Sequence, residues 1–207
     1  MNEKFYSLKK DKQDTMINGA MQIFAMSGYR HASTDDMVKA SGVSKGLWFH
    51  YFDTKTGLYS FVASYSLKYA MLEYSMCSVG EDEDYFDVRM KLEGLKMRMT
   101  DKYPYLPLFI QSVLNEEDPD ALPEINDVRD LYNEQVGILL GKADYSKLKN
   151  CKDYLLLTDM LDNTAGALLE KGYRSGTFTK ESYLREFQKY ADALKAVVMK
   201  SSEKDDV

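Results

Sequence analysis

The chain has 207 residues, of which 44% are hydrophobic and 29% charged, and carries a formal net charge of −6. That length supports one large or two modest domains with a proper core, and the composition is ordinary for a soluble globular protein. No apolar run approaches the roughly 18 residues a membrane span requires, so no membrane association is expected. The opening MNEKFYSLKKDKQD has no apolar signal core, so an unsecreted, cytoplasmic chain is expected. Cys77 and Cys151 show neither metal-ligand spacing nor a disulfide framework, which suits a reducing compartment and free thiols, although pairing between them stays an open alternative.

The charge is unevenly divided. Residues 1–60 hold eight Lys/Arg against six Asp/Glu (+2), whereas residues 61–207 hold nineteen against twenty-seven (−8). A mildly basic head on an acidic body is the balance of a chain whose head alone meets nucleic acid.

The spacing predicts a first helix over about Leu8 to Met26, with Ile17, Ala20, Met21 and Phe24 at i, i+3, i+4 and i+7 on one face. Lys4, Lys9, Lys10 and Lys12 at its start can reach a DNA backbone or simply be solvated. Gly28 ends it, and Tyr29-Arg30-His31 leads to Ser33, an N-cap with Asp36 three residues on. Met37, Val38 and Ala40 give the next helix a short apolar face. Gly42 supplies a positive-φ corner, Val43 a buried pin, and Ser44 a cap for the helix KGLWFHYF. Two short helices about a glycine-bearing turn make a helix-turn-helix, whose second helix enters the DNA major groove. Phe24, Val38, Val43, Trp48 and Phe52 are its expected core.

A long helix capped by Thr54 is predicted to run to about Cys77, with Leu58, Phe61, Val62, Tyr65, Tyr69 and Leu72 on its buried side. The acidic GEDEDYFD separates it from a helix over about Phe86 to Thr100. Pro104 and Pro107 open another through Leu114, and Pro123 starts one to Leu140. The last two are predicted over Asp153 to Tyr173 and from the cap Thr179 to Met199. No stretch shows strand alternation. The expected fold is therefore all-α, with about nine helices: a three-helix DNA-binding head over residues 1–53, a larger helical body over 54–200 (to which the resemblance below assigns ligand binding and dimerisation), and a disordered tail over 201–207.

The order Ser33, Gly42-Val43-Ser44-Lys45-Gly46, Phe49, Tyr51-Phe52, then Lys55 and Leu58, resembles the tetracycline-repressor (TetR/AcrR) family over about Phe24 to Phe61. Three positions depart from the family pattern. Trp48 stands for a usual leucine, Leu47 for a small polar residue, and Phe49 for a tyrosine whose hydroxyl bonds a phosphate. The resemblance implies a bacterial transcriptional regulator, here expected to be a repressor that binds a near-palindromic operator in double-stranded DNA as a homodimer. It further implies a small-molecule inducer, of unknown identity, bound in the body. A body that binds a protein partner instead is the alternative.

Ser33, Thr34, Ser44, Lys45, Gly46, Leu47, Phe49, His50, Tyr51 and Lys55 are the expected DNA-facing residues. Lys45 and Lys55 lie in first helical turns, where backbone N–H groups also attract phosphate. His50 suits a base, a phosphate or plain solvent, and Leu47 a thymine methyl. In the body, Tyr65, Tyr69, Met97, Tyr105, Phe109, Tyr132 and Met160 can line a pocket for a mostly apolar ligand; the same residues at helical spacing equally make core. The last helix has two stripes, Tyr183, Phe187, Tyr190, Leu194 and Val197 beside Leu184, Ala191 and Val198. With Leu161 and Leu168 on the helix before it, Tyr183, Phe187, Tyr190 and Leu194 are the expected dimer contacts, by the family's four-helix bundle; which stripe faces the partner stays open. No catalytic order of Ser/His/Asp or Cys/His, no phosphate-binding glycine loop and no facing carboxylates occur, so no enzyme activity, cofactor or metal is expected.

Overall fold

The computed structural model describes residues 3–150 and 154–200; the expected tail over 201–207 and Cys151 lie outside them. Among the described residues there are ten α-helices and one 3-10 turn: α1 (Glu3–Tyr6), α2 (Lys10–His31), α3 (Thr34–Ser41), α4 (Lys45–Phe52), α5 (Lys55–Ser75), α6 (Tyr85–Arg98), the turn Met99–Asp101, α7 (Leu106–Leu114), α8 (Leu122–Leu140), α9 (Tyr154–Arg174) and α10 (Lys180–Val198). The helix beyond the expected nine is α1, too short to show a periodicity. It nonetheless buries Phe5, which packs on Tyr51, Phe52 and Phe61 with ring centroids 5.9, 5.3 and 5.0 Å away. No described helix is long and apolar enough to cross a membrane.

The chain divides into two compact units, Met1–Ser75 with Lys96–Gln135 and Met76–Leu95 with Val136–Val207. In the first, α2 packs on α3, α5 and α7. Its predicted face Ile17, Ala20, Met21 and Phe24 is buried, as are Leu106, Phe109, Ile110 and Val113 of α7. Phe24, Tyr59 and Phe109 form a triangle of rings with centroids 4.8, 6.2 and 6.0 Å apart. Each such side chain, taken out of water, contributes roughly 1.5–3 kcal/mol. Gly28, at φ 69° and ψ 171°, breaks the regular helix of α2 where the sequence places its end.

α5 departs from its predicted register. It buries Leu58, Tyr59, Val62, Ala63, Ser66, Leu67, Ala70 and Tyr74, whereas Phe61, Tyr65 and Tyr69 are only half-buried and Leu72 is 62% exposed. The small Ala63, Ser66 and Ala70 give the inward stripe its close packing, and the larger aromatic stripe is left facing outward.

In the second unit, α9 and α10 pack against each other through Leu157, Leu161, Ala165 and Leu169 on one side and Tyr183, Phe187 and Ala191 on the other. A buried ionic cluster ties in α6. The guanidinium of Arg89 pairs with Glu93 at 3.2 Å and with Asp162, while Tyr183 donates its hydroxyl to Glu93 at 2.7 Å. Asp84 caps α6, accepting from the N–H groups of Phe86 and Asp87 at 2.9 and 3.1 Å, and its other oxygen meets Lys195 of α10 at 2.7 Å.

Candidate nucleic-acid interface

The helix-turn-helix is assembled by local chemistry. Ser33, extended at φ −113°, accepts the Asp36 N–H at 3.1 Å and donates its hydroxyl to the Asp36 carboxylate at 2.8 Å. The carboxylate thus takes the cap's own hydroxyl proton rather than a backbone N–H. It also pairs with Lys39 at 3.0 Å, and Lys39 and the Ser33 hydroxyl together hold it below the usual carboxylate range. At the corner Gly42 sits at φ 67° and ψ 9°, a left-handed conformation costly for any other residue, and its N–H reaches the Val38 carbonyl at 2.8 Å. Val43 is buried beside it. α3 turns Met37 inward, leaves Val38 half-buried and exposes Ala40, so Met37 takes the core place expected of Val38. The reason lies on α2. A Cβ built on Gly19 would fall 2.8 Å from the Ser41 Cβ, so α3 rests on a glycine through its Met37/Ser41 edge.

α4 begins after Ser44, which holds the cap position (φ −60°, ψ 145°) but makes no side-chain cap bond. Trp48, 1% exposed, and Phe52 anchor the helix to the core, their rings 6.2 Å apart. That choice of inward face leaves Ser44, Lys45, Gly46, Phe49 and His50 exposed and Leu47 half-buried. Thr34 and Tyr51 are half-buried as well, and the His50 and Tyr51 rings meet edge to face at 4.8 Å.

The two expected phosphate lysines have internal partners. Lys45 forms an ion pair with Asp35 at 2.9 Å. Lys55 donates to the Arg30 carbonyl at 3.1 Å and stands 4.6 Å from the centre of the Tyr29 ring, closing the end of α2 onto the start of α5. Asp35 carries no sequence signal for this role, since nothing local pairs it with a residue ten positions on. Between α4 and α5 the chain makes a γ-turn on Asp53 (φ 47°, ψ −51°), in which the Thr54 N–H meets the Phe52 carbonyl. Thr54 then caps α5 by accepting the Gly57 N–H at 3.0 Å.

The seven candidate ligand residues do not gather at one place. Tyr65 and Tyr69 line an open groove on α5. Met97 and Phe109 are core, Tyr132 packs on Tyr74 at 6.0 Å, and Tyr105 is half-buried and accepts from Gln22 at 3.3 Å. Met160 is exposed on α9. Of the candidate dimer residues, Leu161, Tyr183 and Phe187 are buried within their own unit, Leu168 and Leu194 are half-buried, and Tyr190 is exposed. The predicted first stripe of α10 therefore splits, with Ala191 joining the inner set.

A family model of bacterial regulatory proteins, tetR family, matches residues 16–60, the span from α2 into the first turns of α5. Over that span the chain matches the tetR family. The whole chain has the fold of solved tetR-family regulators. A transcriptional regulator from Chloroflexus aurantiacus J-10-FL is similar at TM-score 0.64 and 15% identity, over 96% of this chain and 98% of that one. A tetR-like regulator from Rhodococcus sp. RHA1 gives 0.59 and 12%, over 92% and 97%. The fatty acid degradation regulator FadR of Bacillus halodurans gives 0.58 and 16%, over 86% and 96%. No curated protein matches the chain by sequence. The tetR-family match covers the helix-turn-helix described above, and Trp48 remains a departure within it.

Proposed function

We propose that the protein is a transcriptional repressor that binds a near-palindromic operator as a homodimer and is released by a small ligand in its helical body. The observation that carries the reading is the exposed face of α4. Trp48 and Phe52 fix this second helix of a tetR-family motif, and Lys45, Gly46, Phe49 and His50 are turned to solvent. Gly46 has no heavy atom near a Cβ position, so nothing of the protein intervenes between the α4 backbone and an approaching groove. Two such helices must lie roughly 34–36 Å apart to meet successive half-sites. Tyr190 and Val197 on α10, with Leu155, Leu156 and Met160 on α9, are exposed apolar residues on the two helices through which tetR-family subunits pair.

The test is duplex binding against salt. With Z phosphates neutralised, log affinity falls against log salt with a slope of about −0.9Z. Lys45→Ala flattens that slope by about one contact per subunit while leaving sequence preference alone. A duplex affinity indifferent to salt, or to Lys45, overturns the assignment. For the inducer, linkage requires that operator weaken ligand binding by the factor by which ligand weakens operator binding. Calorimetry with and without operator measures both.

A further inference from the structure

Along the outward stripe of α5 runs an open groove of about 770 Å³, bounded at one end by Tyr51, Phe52 and Asp53 and reaching Lys68 and Leu72 at the other. It lies wholly in the unit that carries the head. Its volume is within the ~300–1,000 Å³ of small-molecule sites. Phe61, Tyr65 and Tyr69, one helical turn apart, form a ladder of rings with centroids 6.3 and 6.5 Å apart and planes 26° and 14° from parallel.

The ladder is held from behind. The hydroxyls of Tyr65 and Tyr103 meet at 2.5 Å, and Tyr103 donates to Asp14 at 2.9 Å. The Tyr103 ring stands edge-on to both Tyr65 and Tyr69, at 5.7 and 5.4 Å. With its hydroxyl engaged, Tyr65 offers the groove a ring surface in a fixed pose, and a ligand pays little to order it.

Two polar groups on the same wall have nothing to do. Ser64 and Lys68 stand one turn apart, and neither makes a hydrogen bond or ion pair with any described residue; Ser60, by contrast, donates to the Glu124 carbonyl at 3.2 Å. Charges of both signs surround the ladder, for Asp14 and Glu73 both act on Tyr69. Lys10 lies 5.9 Å from the Tyr65 ring centre, and Lys102 lies 5.8 Å from that of Tyr69. Lys10 is balanced by Asp14 at 3.0 Å, while Lys68 is not balanced. The one acid in the groove's lining, Asp53, lies in the turn before α5, whereas Lys68 lies on its fourth turn.

We propose that this groove binds a small aromatic carboxylate, its rings on the Tyr65–Tyr69 ladder and its carboxylate between the Lys68 ammonium and the Ser64 hydroxyl. A cationic ligand placed there meets the Lys68 ammonium, and a neutral one forfeits the charge-assisted bonds. The site draws on Tyr65 and Tyr69, two of the seven candidate ligand residues, and one end of it is the last turn of α4.

Calorimetry on the full chain at low salt, with 4-biphenylcarboxylate, its neutral amide and 4-biphenylmethylammonium, tests this. The carboxylate is expected to bind at least ten-fold more tightly than the amide, and the ammonium most weakly. Lys68→Gln should abolish the carboxylate's advantage and leave the amide's affinity unchanged. Tyr69→Ala should weaken carboxylate and amide alike by ten-fold or more, with far-UV circular dichroism confirming that both variants are folded. Equal binding of carboxylate and amide, a preference that survives Lys68→Gln, indifference to Tyr69→Ala, or no binding of any of the three probes overturns the proposal.

Discussion

Lys45 Nζ lies 2.9 Å from the carboxylate of Asp35, so a cation on the second helix of the motif is already paired to an anion on the first. Both side chains are more than half exposed, and exposed pairs are worth only about 0–1 kcal/mol. A phosphate can therefore displace Asp35, but it does so against a standing partner. Asp35→Asn should tighten duplex binding a few-fold, through the freed lysine and the lost negative charge. Fluorescence anisotropy at two salt concentrations measures the change; an unaltered Kd at low salt means Lys45 never leaves the protein for DNA.

Trp48 is buried, and its indole N–H finds no acceptor among the described residues. Trp48→Ala should cost about 3–5 kcal/mol by removing a large core side chain. Trp48→Leu, the side chain usual in the family at this position, removes the unsatisfied N–H along with the ring and should cost distinctly less. Urea denaturation followed by circular dichroism ranks the two, and equal losses would show that the orphaned N–H carries no penalty.

Asp84 titrates below the usual carboxylate range. Burial works against its charge, but Lys195 and the N–H groups of Phe86 and Asp87 outweigh that. A carboxyl depressed in the folded state stabilises fully above its unfolded pKa of about 3.9, and that stability is lost as pH falls through the folded value. Stability should therefore decline more steeply below about pH 4 in the wild-type chain than in Asp84→Asn. Thermal melts from pH 5 down to pH 2.5 compare the two slopes, and parallel curves would remove Asp84 from the acid-sensitive set.

Tyr190 is 52% exposed on α10, and Phe187, three residues earlier, is fully buried. Tyr190→Asp should leave a folded monomer in place of the proposed dimer, whereas Phe187→Asp should unfold its unit. Light scattering with circular dichroism separates these outcomes. A folded Tyr190→Asp dimer would move the interface off this face of α10.

The helix-turn-helix was legible because strong local signals coincide within twenty residues: a capping serine, a glycine at positive φ, a buried valine and an aromatic run. α5 was less so, since it carries two apolar stripes and periodicity alone cannot choose between them. The choice falls to the small Ala63, Ser66 and Ala70, whose value lies in what packs against them. The same ambiguity divides Tyr183 and Phe187 from Tyr190 on α10. Phe5 sits in a four-residue helix with no pattern to detect, and the Lys45–Asp35 pair depends on how two helices cross. Gly19 is a plain residue inside a helical run until α3 is laid across it.

The unit that carries the head is drawn from two separate stretches, Met1–Ser75 and Lys96–Gln135. Cutting the gene after Ser75 would thus strip Phe24 and Tyr59 of Phe109, and Tyr103 of its place between Tyr65 and Asp14. The DNA-reading segment is not a cassette that can be lifted out and fused elsewhere. Chimeras with other regulators should exchange both stretches together, because the second is part of the scaffold on which the first is folded.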